Sequence, residues 1–167
     1  MIKSLVITMA ATSLLALSGS VEATITVTTS STGTPGSPDC SGAAASAGVI
    51  WPPNHTMVSE TIVGVTDPNN LPLAIVVTGI MQDESVAAIG SGNTSPDGAG
   101  IGTSTAQVRA ERAGPGTGRI YLIYFTATNT MGAQCTGSVT AFVPHDQGQG
   151  FTPIDTGDRF DSTQTYF

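Results

Sequence analysis

His55 and His145 are the only two histidines in the chain, and each stands among groups that suit proton transfer or metal ligation: Trp51-Pro52-Pro53-Asn54-His55 in one place and His145-Asp146 in the other. Two imidazoles and a carboxylate can hold zinc or work as an acid and a base. Asp83, Glu84, Glu111 and Arg112 would join such a site if the fold gathered them at one end. The plainer reading is structural and is preferred: His55 bonds within a Pro-Pro loop, and His145-Asp146 ends a strand. Trp51 is read the same way, as a core or loop-packing residue rather than a ligand platform. A second set consists of oxygen donors, with Asp67, Asn69 and Asn70 in one turn and Asn129 and Thr130 in another. Calcium takes such ligands, but Asp-Pro-Asn-Asn is also what a β-turn wants, and turn chemistry is again the preferred reading. The chain has no Gly-x-Ser-x-Gly elbow, no His-Glu-x-x-His, no Gly-rich phosphate loop ending in lysine and no Cys-x-x-Cys, so no enzyme is expected.

Cys40 and Cys135 are the two cysteines. They follow a stretch that reads as an export signal, residues 1–23, in which Lys3 gives the positive start, residues 5–17 the apolar run, and Val21-Glu22-Ala23 a peptidase site. Export into an oxidising space makes a disulfide the default for one pair of cysteines. The apolar run is too short to span a bilayer, and nothing after it approaches the roughly 20 apolar residues a membrane helix needs. Charge is sparse, at 10% of residues with a formal net charge of −7. Without Lys3 the remaining cations are Arg109, Arg112, Arg119 and Arg159. That set argues against nucleic acid, whose binding needs clustered Lys and Arg, and against an anionic membrane surface. The expected partner is an extracellular protein or surface component, or a second copy of the chain.

The elements that must position these groups read as strands throughout. A two-residue period punctuated by Gly, Pro, Asn and Asp dominates residues 39–146, and no helical period is sustained. Strands are expected at 48–51, 57–66 with a bulge near Gly64, 71–80, 105–111, 119–128 and 135–143. In 105–111, Ala106, Val108 and Ala110 point inward and Gln107, Arg109 and Glu111 outward. The last two strands form a hairpin, with Tyr121, Ile123, Phe125 and Ala127 on one face, Gly132 in the turn, and Cys135, Gly137, Val139, Ala141 and Val143 on the partner. Residues 90–102 are read as a surface loop in place of a strand. Residues 24–38 are Thr/Ser/Gly-rich, a tether or loose first strand, and 147–167 a polar C-terminal tail.

Tyr121-x-Ile-x-Phe-x-Ala127-x-Asn129, Gly132 and Cys135-x-Gly-x-Val-x-Ala-x-Val143 resemble the closing hairpin of secreted immunoglobulin-like modules of the hyalin-repeat type. Trp51-Pro52-Pro53-Asn54-His55, Gly64-Val65-Thr66-Asp67-Pro68, Gln82-Asp83-Glu84, Ala106-Gln107-Val108-Arg109-Ala110-Glu111-Arg112 and Val143-Pro144-His145-Asp146 resemble an immunoglobulin-like repeat of bacterial exported and surface proteins. The resemblance covers about residues 40–146. It implies a β-sandwich of about seven strands with one disulfide, and a location outside the cell rather than an activity. In such a sandwich Cys40, Cys135, Asp67, Asn69 and Asn129 share one end. Trp51, Asn54, His55, Asp83, Glu84, Arg112, His145 and Asp146 share the other, a candidate binding pole. The first and last strands of these sandwiches lie side by side, which makes a Cys40–Cys135 bond natural. Two departures from the family, Asn129 where it has aspartate and a loop thinned to Asp97, weaken any inherited cation site. The expected function is a noncatalytic structural or adhesive module. The alternative is a self-assembling subunit that donates residues 24–29 to a neighbour's sheet, and a small metal-dependent hydrolase stands third.

Overall fold

The alternating segments fold into eight strands among the residues described: β1 (Ala44–Ala45), β2 (Met57–Val63), β3 (Leu73–Gln82), β4 (Gly98–Ala99), β5 (Thr105–Arg109), β6 (Gly118–Asn129), β7 (Gln134–Pro144) and β8 (Phe160–Asp161). The computed structural model describes residues 36–87, 90–148 and 153–166. The export signal and the strand-like part of the tether, residues 24–29, lie outside them. No helix among the described residues is long and apolar enough to cross a membrane.

The strands make two antiparallel four-stranded sheets, in the orders β1-β2-β5-β4 and β7-β6-β3-β8. The first seven strands follow the constant-type immunoglobulin arrangement of ABED against GFC, so the expected β-sandwich is present, with an added eighth strand beside β3. Between the sheets lie the inward residues of the expected alternation: Val77, Ile80, Ala106, Val108, Tyr121, Ile123, Phe125, Ala127, Val139, Ala141 and Val143 are all buried. Gly137 belongs to the same row. A Cβ there would stand 3.0 Å from the Phe125 ring, so the missing side chain makes room for the aromatic.

Four strand expectations are corrected. The first strand is split: Ala44 and Ala45 pair with Val63 and Ile62 of β2, and Val49 then crosses to pair in parallel with Phe142 of β7. Glu60 serves that crossing. It lies on the inward side with Ile62, fully buried, and its Oε2 accepts the Ser46 hydroxyl at 3.0 Å and the Ala47 N–H at 2.9 Å, where the chain has left the β2 ladder. The bulge lies in β3 between Val77 and Gly79, not near Gly64. Gly64 instead takes a φ of +79° against the Gly42 carbonyl, a conformation that favours glycine. Residues 90–102 are no free loop, because they contain β4 and bury Ser91 and Asp97. The C-terminal stretch is no simple tail, because Phe160 and Asp161 pair with Gln82 and Met81.

Both long sides of the sandwich are thereby fastened. On one side Cys40 and Cys135 are disulfide-bonded across a sequence separation of 95, as expected. On the other, the Ser162 amide donates to the Ile80 carbonyl, and the Ser162 carbonyl accepts from Asp97 and Gly98. One residue thus ties β3 to β4 across the gap between the sheets.

Candidate functional site

The end of the sandwich that holds both histidines is organised around Arg119. Arg119 is the residue before Ile120 in β6, on the same side as Tyr121 and Ile123, and it is fully buried. Its guanidinium donates from Nη1 to Asp97 Oδ2 at 2.7 Å and from Nε to Glu84 Oε2 at 3.0 Å, and Nη2 lies 3.6 Å from Glu111 Oε1. Nη1 also donates to the Tyr121 hydroxyl, 3.2 Å away, which donates in turn to the Arg109 carbonyl at 2.9 Å. Burial by itself would lower the Arg119 pKa, but Tyr121, Asp97 and Glu84 outweigh it and hold the group charged. Burial pushes the Tyr121 phenol up, partly opposed by Arg119. It therefore stays a donor.

A second layer fixes the carboxylates. Asp97 also receives Gln82 Nε2 at 3.0 Å and Arg109 Nε at 3.2 Å. Arg109 spans the pole, donating further to the Pro96 and His55 carbonyls. Glu84 Oε2 accepts the Ala113 N–H at 2.7 Å. Glu111, expected outward, is buried at 1% exposure. Regular pairing of β5 ends at Arg109, so the alternation does not carry to Glu111. Its Oε2 lies 2.8 Å from His55 Nδ1 and accepts the Thr94 hydroxyl.

The two histidines share an end of the fold but not a ligand set. His55 meets Glu111, whereas His145 lies 3.3 Å from Asp146 Oδ2 and 3.1 Å from the Gly114 carbonyl. Among the described residues no three His, Cys, Asp or Glu side chains gather in a way that could hold a metal ion. Asp83 is buried and accepts the Ile120 N–H at 2.8 Å, and this burial raises its pKa. Arg112 Nη2 donates to the His145 carbonyl at 2.8 Å. Asn54 Oδ1 accepts the Thr56 N–H and hydroxyl, closing its own turn. Of the core and loop-packing alternatives for Trp51, the core is excluded: it lies in the loop before β2 and is 40% exposed.

At the cysteine end Asp67 and Asn129 do meet. The contact runs from Asn129 Nδ2 to Asp67 Oδ2 at 2.9 Å, and the same nitrogen reaches the Gly36 carbonyl. Asp67 Oδ1 accepts the Asn69 and Leu71 N–H groups, and Asn129 Oδ1 those of Met131 and Ala133. Asn69 enters this set through its backbone N–H. These are the bonds that turn chemistry requires.

Asn129 holds the Asp67 carboxyl below its ordinary 3.8. A carboxyl depressed in the folded state contributes stability above the unfolded value and loses it as pH falls through the folded one. Asp67 should therefore lose its contribution below about pH 3.8, with Asp39, Asp146, Asp155 and Asp161 shifted the same way and Asp83 and Asp97, raised by burial, acting against them. Asp67→Asn should make the acid limb of the thermal melts shallower. An unchanged limb would exclude Asp67 as a contributor.

The fold and this pole define a disulfide-closed β-sandwich whose polar end is a buried ion network. No protein-family model matches the chain, and neither a curated protein nor a solved structure does.

Proposed function

We propose that the chain is a noncatalytic extracellular module, structural or adhesive, of the immunoglobulin-like kind, exported by residues 1–23, which are then removed. The observation that carries this reading is the commitment of the ionisable groups at the histidine pole. Arg119, Asp97, Glu84 and Arg109 bond to one another and to backbone groups, and Glu111 lies against Arg119 and His55, so that these groups fix the loops of this end. The disulfide supports an oxidising compartment, and the resemblance in residues 40–146 supports the same location. Trp51, with Asn54 and His55 in the same exposed loop, supplies the contact tip for an extracellular protein or surface component. Exposed aromatics of this kind often carry the binding energy of an interface.

Secreted protein should begin at Thr24 by mass spectrometry. It should bind the envelope of the producing cells saturably, and Trp51→Ala should weaken that binding about fivefold or more, a loss of about 1 kcal/mol, with the melt unchanged. Equal binding by the variant would defeat the contact tip. Hydrolysis of ester, glycoside or peptide reporters that vanished in His55→Ala would defeat the noncatalytic reading.

A further inference from the structure

We propose that the outer face of the sheet β7-β6-β3-β8 carries a saccharide-binding site, built on the Tyr124 ring and taking an uncharged sugar chain. The bulge in β3 makes the site. Val77 points into the core, Thr78 is exposed, and the extra residue brings Gly79 opposite Tyr124. A Cβ on Gly79 would stand 3.6 Å from Tyr124 Cδ2 and 3.9 Å from Tyr124 Cβ, so the ring leans over β3 where that strand has no side chain. Bulges re-aim side chains in this way beside functional sites. Tyr124 is left 38% exposed.

Beside the ring lies a hollow of about 310 Å³, with Thr78, Thr126, Thr136 and Ser138 around it and Gly137 beneath. The register sets Thr126 opposite Thr136 and Tyr124 opposite Ser138. Among the described residues none of these Thr and Ser hydroxyls has a hydrogen-bond partner. The ligand class follows from this chemistry. A pyranose ring presents C–H groups, which the negative face of an aromatic attracts, and hydroxyls, which donate and accept as Thr and Ser do. The volume is at the small end of ligand pockets, which suits a short stretch of sugar chain. Residues 73–82, 120–129 and 134–143 carry no charge, so an acidic polymer would meet no cation on these strands and a basic peptide no carboxylate. Arg159, whose charge acts on Tyr124, is already held by both oxygens of Asp155 at 2.8 Å. The site is separate from the Trp51 loop, and the two readings stand or fall apart.

The test is native electrophoresis of the mature chain through gels carrying hydroxyethylcellulose, xylan or galactomannan, with alginate as the acidic control. At least one neutral polymer should retard the protein. Tyr124→Val should weaken that binding about tenfold, and Thr126→Val with Thr136→Val about threefold or more, each with an unchanged melt. Tyr124→Phe, which keeps the ring, should retain it. Trp51→Ala should also retain it, and a loss there would move the site to the loop and overturn the proposal. No retardation by any neutral polymer would overturn it as well, as would retardation indifferent to Tyr124→Val or confined to alginate.

Discussion

Arg119→Met is expected to destabilise the domain by about 3–5 kcal/mol, the usual result of removing one partner from a buried ion pair. The guanidinium is fully buried, with Asp97 and Glu84 within 3.0 Å and Glu111 at 3.6 Å. Methionine fills much of the volume but leaves carboxylates facing an apolar side chain. Asp97 would keep Gln82 and Arg109, while Glu111 would keep His55 and Thr94. The damage therefore falls on charge balance more than on hydrogen-bond count. Against a total stability of roughly 5–15 kcal/mol, the melting temperature should fall by about 10 °C or more, read by circular dichroism. Arg119→Lys should recover little, because an ammonium cannot reproduce the planar fork that serves Asp97 and Glu84 together. A loss below about 1 kcal/mol in Arg119→Met would show that the network contributes no net stability.

Reduction of the Cys40–Cys135 bond is expected to lower the melting temperature at least as far. A crosslink across a sequence separation of 95 removes on the order of 4–5 kcal/mol of chain entropy from the unfolded state, with native strain and residual structure reducing the measured value. Local packing adds to this, since Cys40 and Cys135 pack against the core cluster. The paired variant Cys40→Ala with Cys135→Ala should match the reduced protein. An unchanged melt with and without reductant would mean that the bond adds no stability.

The large alternating segments were legible in the sequence because each inward residue is apolar and the period is two. Arg119 and Glu60 keep that period but are charged, and a reading that follows apolar residues passes over them. Extending the inward row one step back from Tyr121, or through Glu60 between Val58 and Ile62, would have found both. Asp97 had a fainter mark, as the only charged residue in the Gly/Ser-rich stretch 90–102. Glu111 was grouped with the histidines but read as outward, because its burial follows from how the chain leaves β5, which periodicity does not describe. For Trp51 the sequence left core and loop packing open, because it lies past the end of the sheet, where alternation no longer says what is covered. Strand direction fixes ends, which is why the sequence could group the two histidines. Which carboxylate each one meets depends on loops.

The disulfide also changes how this molecule would bear a load. If tension enters through residue 39 and leaves through the C-terminal stretch, the force passes from Cys40 directly to Cys135 and along β7. The chain between the two cysteines cannot pay out. At about 3.6 Å per residue, some 340 Å of contour over the separation of 95 is withheld from extension, and only β7, β8 and their flanks can peel away. Under such a load the greater part of the domain's contour would stay closed until the disulfide itself was reduced.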